Sequence, residues 1–359
     1  MNTRGDSLQG ERSADWTGQR VLITGVCGTV GGELLRQLTM QDPAEIVGLD
    51  NNESGIFFLM EEHRSDPRVQ LCVGDVRDRD RLLRKSEGVD IILHAAALKH
   101  VILCEQSPGE AVQTNILGTQ NVIHAAHANR VRRVLFTSSD KAVNPTNVMG
   151  TSKLMCERLM TAANAYQRNG GPIFASTRFG NVLGSRGSVI PLFRRQIASG
   201  GPVTLTDPRM TRFIMTLEQA VRLVMESVHL ACGGEVIVTK MPVVRIRDLA
   251  SVMVDELAPR WGHKPKEIRI ATLGARPGEK LYEELLSEEE TRRTLELENY
   301  YVVRPAFTSV YQNIEYDYPG VVNTNVERPY NSSVAKPLSV EELGDYLCRN
   351  GLLEGSDLS

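Results

Sequence analysis

The 359-residue sequence predicts an α/β fold of the Rossmann type, with a doubly wound parallel sheet and a smaller C-terminal lobe. In the first half, short apolar runs alternate with longer helical patterns, which is typical of repeated β-α-β units. A glycine-rich turn follows the first of these runs. Beyond Arg178, glycines and prolines break the chain into short pieces, which indicates a second lobe.

The same patterns place the individual elements. Five strands are predicted, at Arg20–Thr24, Glu45–Asp50, Val69–Val73, Ile91–His94 and Val134–Ser138. Helices are predicted from Val148 to about Ala165, at Leu217–Leu230, at Ile246–Leu257 and near Leu338–Leu347, within an otherwise extended tail after Glu298. The predicted division is a polar tail at 1–18, a sheet domain at 19–180, a lobe at 181–298 with segments returning to the main sheet, and an extension at 299–359.

Composition excludes several classes of function. The chain has 41 Lys and Arg against 44 Asp and Glu, so its net charge of −3 gives no general attraction to nucleic acid or an anionic membrane. Its six cysteines form no C-x-x-C pair, and we expect reduced packing residues and no metal site. No signal peptide or membrane span is recognised, so we expect a soluble, cytoplasmic protein.

The glycine-rich turn predicts a dinucleotide site. Gly25, Gly28 and Gly31 allow a tight turn and close approach to a pyrophosphate, with Thr29 and Val30 at the start of the following helix. Asp50 ends the second strand about 20 residues further on, where a carboxylate can bind both ribose hydroxyls. Asn51 and its neighbours include no Arg for a 2′-phosphate, which favours NAD over NADP. The alternative is that Asp50 is a turn residue.

Two later strand ends complete this predicted site. Asp75 and Val76 follow the third strand and can face the adenine, although Asp after Gly is also ordinary turn chemistry. The small residues Ala95, Ala96 and Ala97 follow the fourth strand, where a cofactor backbone would lie. His94 is predicted to be a buried strand-end histidine and not a catalyst.

The candidate chemical centre follows the fifth strand. Ser138 ends this strand, and Ser139, Asp140 and Lys141 follow it directly. An adjacent carboxylate and ammonium can serve as acid and base. On the next helix, Met149 and Lys153 are four residues apart and share a face, from which Lys153 could reach a nicotinamide ribose. Taken alone, Asp140 and Lys141 could instead be a solvated loop pair.

From Val21 to Leu286 the chain resembles extended short-chain dehydrogenase/reductases, and more narrowly the polysaccharide-biosynthesis branch of nucleotide-sugar 4,6-dehydratases. The motifs that carry the resemblance are HAAALKHV at 94–101, SDKAVNPTNVMG at 139–150, RFGNVLGS at 178–185, MTRF at 210–213 and RPGEK at 276–280. The superfamily has Tyr where this chain has Met149, and a thioether cannot accept a proton. In this respect the chain resembles the methionine-bearing dehydratases.

This resemblance implies a reaction. NAD would oxidise the sugar at C4, the C5 proton and C6 hydroxyl would leave, and the hydride would return to C6. Asp140 would protonate the departing oxygen and Lys141 would be the base at C5, with a pKa lowered by burial and by the nicotinamide. The C4 proton would go to Asp140 with help from Ser139, although Ser139 itself or a relayed water could accept it. The methionine-bearing members also suggest retention at C5.

The resemblance also implies substrate contacts. Lys99 would reach the phosphates of both cofactor and substrate, and the neighbouring His100 would also bind substrate. The remaining candidates bind the phosphates, sugar, base or ribose, and they are Asn181, Ser188, Val189, Arg212, Arg276 and Glu279. We expect UDP-N-acetylglucosamine as the substrate and a homo-oligomeric enzyme. The larger relatives carry an N-terminal membrane region, and this chain resembles a stand-alone catalytic unit.

Three other functions remain open at this stage. The same chemistry could act on a GDP-linked or other sugar nucleotide, because no recognised residue selects the base. A sugar-nucleotide epimerase shares the fold, but its chemistry usually needs the tyrosine that Met149 replaces. A non-catalytic NAD-binding sensor would also lack that tyrosine, although the Asp140–Lys141 pair and the RPGEK motif argue against it.

Overall fold

The computed structural model describes residues 15–166, 171–185, 188–274, 278–307 and 314–354. Their strands, in chain order, are β1 (Arg20–Thr24), β2 (Glu45–Asp50), β3 (Val69–Val73), β4 (Ile91–His94), β5 (Arg133–Thr137), β6 (Ile173–Arg178), β7 (Asn181–Val182), β8 (Val203–Leu205), β9 (Thr211–Met215), β10 (Val236–Thr239), β11 (Val243–Arg245), β12 (Ile270–Thr272), β13 (Glu284–Leu286), β14 (Thr294–Leu297), β15 (Tyr300–Val303), β16 (Val321–Asn323) and β17 (Tyr330–Asn331).

The α-helices are α1 (Thr29–Thr39), α2 (Glu53–Glu62), α3 (Arg79–Lys85), α4 (Val101–Gln106), α5 (Pro108–Ala111), α6 (Gly118–Ala128), α7 (Val148–Ala163), α8 (Val189–Ala198), α9 (Leu217–Leu230), α10 (Ile246–Leu257), α11 (Glu288–Thr291) and α12 (Val340–Arg349). A π-helical turn, Val112–Leu117, joins α5 to α6, and short 3-10 turns lie at Asp140–Ala142, Asn164–Tyr166, Pro259–Trp261 and Pro265–Glu267.

The main sheet confirms the predicted doubly wound fold. Its order among the described strands is β16-β14-β15-β10-β6-β5-β4-β1-β2-β3. The strands from β3 to β10 pair in parallel, and β15, β14 and β16 extend one edge by antiparallel pairing. The order 3-2-1-4-5-6 is that of dinucleotide-binding sheets. The fifth strand begins and ends one residue earlier than predicted.

Side-chain alternation along the strands supplies two core layers. Val21 and Ile23 of β1 pack on one face of the sheet with Leu34 of α1 and Val224 of α9. Leu22, between them, packs on the opposite face, in a cluster that also holds residues of α3, α6 and α7. Because successive side chains of a strand point to opposite faces, an unbroken apolar strand indicates a sheet covered on both sides.

The C-terminal lobe has its own apolar cluster. This cluster joins residues of α8, α10 and α12, with Phe193, Met253 and Leu347 among its buried members. The predicted helices Leu217–Leu230 and Ile246–Leu257 are confirmed with their bounds. In each helix the apolar residues recur at helical spacing and form one apolar face, which can be recognised in the sequence.

The expectation of an extended tail after Glu298 is wrong for much of that segment. Tyr300–Val303 forms β15, which pairs antiparallel with β10 and extends the main sheet. Tyr330–Asn331 forms β17, which pairs with β13 beside the predicted site. The helix predicted near Leu338–Leu347 is present as Val340–Arg349. These strands are only four and two residues long, so alternation alone does not reveal them.

Candidate active site

The predicted dinucleotide site lies where the strand order reverses. From β1 the chain continues to β2 on one side, whereas β4 pairs with β1 on the other side. Gly25 follows β1 with φ +76°, and a Cβ atom built on it would lie 2.7 Å from the Cα of Ala96. The glycine loop and the turn at 95–97 therefore touch. Such a crevice beyond the carboxyl ends of the strands is where open α/β sheets bind ligands.

Gly31, at the start of α1, is the tightest point of the loop. A Cβ atom built there would lie 2.1 Å from the carbonyl oxygen of Gly25, whereas one on the adjacent Gly32 would meet its nearest atom, the carbonyl oxygen of Val26, at 3.4 Å. We expect Gly31→Ala to weaken NAD binding at least about tenfold, because the loop must shift. Gly32→Ala is the matched control. Calorimetric titration with NAD would refute this prediction if both variants bound equally well.

The acidic residues of the predicted site lie beside this loop. Asp50 accepts hydrogen bonds from the backbone N–H groups of Cys27 and Asn52, both at 2.9 Å. Asn51 donates to Asp75 at 3.4 Å, and Arg77 forms a 2.6 Å ion pair with Asp75 that lowers the pKa of this carboxyl. The structure thus brings three of the predicted cofactor residues together. Their roles stay predictions.

Two buried residues support the neighbouring strand ends. His94 bonds through its ring nitrogens to the hydroxyls of Thr24 (2.7 Å) and Thr119 (3.1 Å), and burial lowers its pKa to about 3. It is the buried strand-end histidine predicted from the sequence. Val76 is also buried, and it lies against Gly118 at the start of α6.

The loop after β5 assembles the predicted acid and base. Ser139 donates to the Oδ1 atom of Asp140 at 2.6 Å, and the Nζ atom of Lys141 donates to the same oxygen at 3.0 Å. Asp140 is only 1% exposed. Gly150 of α7 allows the close approach, since a Cβ atom there would lie 2.2 Å from the carbonyl oxygen of Lys141. The pair is therefore packed against α7 and is not a solvated loop pair.

The electrostatic surroundings of Lys141 differ from the expectation. Burial, the largest single effect, lowers its pKa, but attraction to Asp140 and Glu283 outweighs burial and raises the pKa above its ordinary value. The expected lowering of this pKa is therefore wrong for the protein chain itself. Sequence reasoning missed the second carboxylate, Glu283, because it lies far from Lys141 in sequence and reaches the loop only through the fold.

Glu283 directly precedes β13 and is 3% exposed. Its Oε1 atom lies 3.6 Å from the Nζ atom of Lys141 and 3.5 Å from the Nε atom of Arg212. The backbone of Glu283 exchanges two 2.9 Å hydrogen bonds with Ser332, one of which the serine hydroxyl accepts. The bonds to Ser332 therefore hold the backbone of Glu283 beside the loop after β5.

Lys153 is held beneath that loop. Its Nζ atom donates to the carbonyl oxygen of Thr137 at 2.9 Å and lies 4.6 Å from the ring centre of Phe136. Burial lowers the pKa of Lys153 to about 8. Met149 is 3% exposed and packs in an apolar cluster with Cys104 and Ala111. The two residues share a helix, but only Lys153 contacts the end of β5.

The lowered pKa of Lys153 predicts a pH-dependent stability. Between about pH 8 and the unfolded value of 10.5, the unfolded chain binds more protons than the folded one, so stability rises with pH across this window. At pH 7 the ammonium opposes folding. We therefore expect Lys153→Met to raise the free energy of unfolding by about 1–2 kcal/mol at pH 7, net of its lost hydrogen bond.

Urea titrations at pH 7 and pH 10 would measure this effect. The advantage of the variant should shrink at pH 10, where the native lysine is neutral. Lys264→Met is the control, because Lys264 is 81% exposed and pairs with Glu267 on the surface. A loss of stability in Lys153→Met that is equal at both pH values would contradict the burial of an unfavourable charge.

A π-helical turn supplies a further residue that sequence reasoning missed. Within Val112–Leu117, the side chain of Asn115 bonds to both the N–H and the carbonyl of Leu98, at 2.8 and 3.1 Å. It also donates to the hydroxyl of Ser152 on α7 at 2.8 Å. Asn115 thus ties the loop that carries Lys99 and His100, both exposed, to the helix of Lys153. Such wide turns often occur at functional sites.

Another missed residue lies beneath Ser138. The hydroxyl of Ser138 donates to Glu157 at 2.6 Å, and both residues are buried. Glu157 also pairs with Arg178, which in turn pairs with Glu290 of α11. Helical periodicity placed Glu157 on α7 but gave no reason to bury a charge there.

The predicted substrate residues of this part of the chain lie on β7, at the start of α8 and on β9. Asn181 and Ser188 each have a buried side-chain oxygen without a hydrogen-bond partner among the described residues, and Val189 begins α8. The guanidinium group of Arg212 already donates to the carbonyls of Thr211 and Lys280, at 2.8 and 2.9 Å. A phosphate there would have to share these donors.

The loop before β13 closes onto the loop after β5. Asn147 donates to the carbonyl of Gly278 at 3.1 Å, and Lys280 donates to the carbonyl of Val143 at 2.8 Å. Glu279, between them, is exposed. Arg276 lies outside the described residues, so its predicted role stays untested.

Known proteins resemble this chain over most of its length. The family model described as polysaccharide biosynthesis protein matches residues 21–305. An uncharacterized membrane protein of Methanocaldococcus jannaschii is 49% identical over 90% of this chain and 93% of its own length. An inverting UDP-N-acetylglucosamine 4,6-dehydratase of Campylobacter jejuni is 38% identical over 84% of this chain and 87% of its own length. A UDP-glucose 4-epimerase of Rickettsia bellii is 37% identical over 91% of this chain and 94% of its own length.

Solved structures of similar proteins also match this chain over most of its length. Pen from Bacillus thuringiensis superposes with a TM-score of 0.85 at 39% identity, covering 93% of this chain and 98% of its own. DesIV of Streptomyces venezuelae, a dTDP-glucose 4,6-dehydratase solved with NAD bound, gives a TM-score of 0.65 at 26% identity, with 73% and 87% covered. Within the described part of this chain, no helix is long and apolar enough to span a membrane.

Proposed function

We propose that this chain, which belongs to the polysaccharide biosynthesis protein family, converts UDP-N-acetylglucosamine to UDP-2-acetamido-2,6-dideoxy-4-hexulose. It is an enzyme of the nucleotide-sugar dehydratase class, with NAD as its cofactor. The observation that carries the substrate proposal is the hydrogen-bonded acid–base pair of buried Asp140 and partly buried Lys141, on a chain that resembles UDP-N-acetylglucosamine dehydratases over most of its length. The family resemblance predicted from the sequence is confirmed.

The residues at the strand reversal fit NAD. Gly25 and Gly31 leave no room for a side chain, so backbone can approach a pyrophosphate at the start of α1. Asp50 is oriented by two backbone N–H groups beside this loop. We assign the cofactor to these residues, together with Gly28, Thr29, Val30, Asn51, Asp75, Val76, Ala95, Ala96, Ala97, Lys99, Ser138 and Lys153.

In the proposed mechanism, bound NAD supplies a reversible oxidation of the sugar carbon. Asp140 takes the proton of the C4 hydroxyl and later delivers it to the C6 oxygen, which leaves as water. Ser139 holds the carboxylate for both transfers through its 2.6 Å hydrogen bond. Lys141 removes the proton from C5 and returns it to the same face of that carbon. The proposed product therefore retains its configuration at C5.

The lobe supplies the proposed substrate contacts. Asn181 and Ser188 offer buried oxygens whose hydrogen-bonding capacity is unused by the described residues, as expected of groups that bind a ligand. We propose that they contact the diphosphate, sugar or base, beside Val189. Arg212, Arg276, Lys99 and His100 would bind the phosphates or sugar, and Glu279 the nucleotide ribose.

Epimerase chemistry is the main alternative, because relatives with that name are 37% identical to this chain. Met149 argues against it, since a buried thioether packed on Cys104 and Ala111 cannot accept the proton of a sugar hydroxyl. A dehydratase acting on a GDP-linked or other sugar nucleotide would use the same pair, Asp140 and Lys141. A binding protein without catalysis would not need that pair.

Mass spectrometry distinguishes these functions. The purified protein would be incubated with NAD and, separately, with UDP-N-acetylglucosamine, UDP-glucose and GDP-mannose. We expect a product lighter by one water from UDP-N-acetylglucosamine alone. An isobaric product that separates from the substrate by chromatography would instead establish epimerisation. Dehydration of GDP-mannose alone would overturn the choice of substrate, and binding without any product would favour the sensor.

A homo-oligomer is proposed from the exposed apolar residues around α4 and α7. Ile102 and Leu103 are 57% and 59% exposed, and Met155 is 45% exposed. Exposed apolar groups on neighbouring helices commonly mark association surfaces. Light scattering of Leu103→Glu should show a smaller species than the native protein. If Leu103→Glu forms the same assembly as the native protein, these residues do not form the association surface.

A cytoplasmic location is also kept as a proposal. Its support is that all six cysteines lie in the described residues and none forms a disulfide.

A further inference from the structure

Glu283 is a buried carboxylate without a close hydrogen bond. Its two nearest cations share the Oε1 atom, at 3.6 Å for Lys141 and 3.5 Å for Arg212. Its Oε2 atom is buried and has no hydrogen-bond partner among the residues that the structure describes. A buried carboxylate in this condition is costly to keep charged, and a proton would relieve the cost.

The proposed mechanism leaves one proton unassigned. Lys141 can remove the C5 proton only as a neutral amine, yet the two carboxylates beside it favour its charged form. Asp140 cannot keep the surplus proton, because it must be free to accept the proton of the C4 hydroxyl. The other acceptor beside the Nζ atom of Lys141 in the described structure is Glu283.

We propose, on the basis of the proposed function, that Glu283 takes the surplus proton of Lys141 once NAD is bound and holds it throughout turnover. One N–H bond of the ammonium breaks and one O–H bond forms on Glu283, so a charged pair becomes a neutral pair. Lys141 then takes the C5 proton and later returns it, and Glu283 keeps its own proton throughout. No other reactant is consumed. Glu283 acts through Lys141 and touches no reacting atom.

The surroundings of Glu283 support this assignment. Asp140 and Lys141 face it from the loop after β5, Arg212 from β9, and Lys280 from the loop before β13. Burial and the nearby Asp140 raise the pKa of Glu283, and the three cations only partly oppose this effect. Ser332 fixes the backbone of Glu283, so the carboxylate stays within reach of Lys141.

The pH profile of kcat tests the proposal. We expect Glu283→Gln to lower kcat about 100-fold at pH 7, because the amide cannot accept the proton of Lys141. This loss should outweigh the lower pKa that Lys141 gains when the negative charge of Glu283 is removed, and activity should recover as pH rises and solvent deprotonates Lys141. Glu283→Asp should retain part of the activity at pH 7 that Glu283→Gln loses. Glu284→Gln is the matched control, since this neighbour bonds to Asn144 instead and should change kcat less than about threefold.

Infrared spectroscopy gives a readout that needs no turnover. The NAD-bound native protein at neutral pH should show the carbonyl stretch of a protonated carboxyl group. Glu283→Gln should remove a component of this band that Glu284→Gln retains. A merely structural role for Glu283 predicts neither this loss nor a change in the shape of the pH profile.

Two results would overturn the proposal. One is a loss of activity in Glu283→Gln that is equal at all pH values, and the other is an infrared band unchanged by this substitution. If the native protein dehydrates no sugar nucleotide, the proposed function fails. The infrared comparison then still decides whether Glu283 holds a proton.

Discussion

Lys141→Met is expected to lower kcat by at least about 1000-fold, because no other described group replaces the base at C5. Asp140→Asn is expected to have a similar effect, since an amide can neither accept the C4 proton nor protonate the C6 oxygen. Affinity for NAD should persist in both variants. The polar contacts of Lys141 run to Asp140 and Glu283, not to the glycine loop.

Folding must be checked alongside activity. Lys141→Met leaves two buried carboxylates with less compensation, so some loss of stability is expected. Circular dichroism and NAD titration would establish that the variant is folded. Lys264→Met replaces an exposed lysine in the same way and should retain full activity. Activity near the native level in either Lys141→Met or Asp140→Asn would contradict the assignment of the pair.

Arg178→Met is expected to cause the largest loss of stability, about 3–5 kcal/mol at neutral pH. Arg178 is 1% exposed and forms ion pairs of 2.6 Å with Glu157 and 2.8 Å with Glu290. Its removal leaves two buried carboxylates without this cation. Because Glu157 also holds Ser138, the loop after β5 should loosen as well.

The deficit of Arg178→Met should depend on pH. Burial alone would raise the pKa of Glu290, but Arg178 outweighs burial and lowers it to about 2. A lowered carboxyl pKa contributes stability that is present above the unfolded value of 4.5 and is lost as pH falls through about 2. The difference between variant and native protein should therefore be greatest above about pH 5 and shrink in acid.

Denaturant titrations at pH 7 and pH 4 would measure this difference. Arg209→Met is the control: Arg209 forms an ion pair of 2.7 Å with Asp207, but it is 74% exposed, so no measurable change is expected. Equal stability of Arg178→Met and the native protein at pH 7 would contradict the energetic importance of the buried network.

The sequence predicted the parts of the fold that depend on local pattern. The bounds of β1 to β4 agree with the structure because short apolar runs between turn signals mark these strands, and the bounds of α9 and α10 agree because their helical period is clear. The strands β15 and β17 were missed, since their place depends on partners in the sheets and not on their own residues. The resemblance supplied Asp140 and Lys141, which the structure joins by a hydrogen bond.

What the sequence could not show was long-range electrostatics. Glu283 lies far along the chain from Lys141, and the fold brings the two side chains within 3.6 Å of each other. Attraction to Glu283 then adds to that of Asp140 in raising the pKa of Lys141. Asn115 was likewise hidden, because a π-helical turn leaves no periodic signal in six residues.

Proton NMR of the purified protein with NAD and UDP-N-acetylglucosamine tests the central claim most directly. We expect a C6 methyl doublet to appear while the C6 hydroxymethyl signals disappear, with coupling constants that report retention at C5. A methyl doublet with inverted C5 would correct the stereochemistry alone. A spectrum that stays unchanged, from folded protein that binds NAD, would contradict 4,6-dehydration of this substrate.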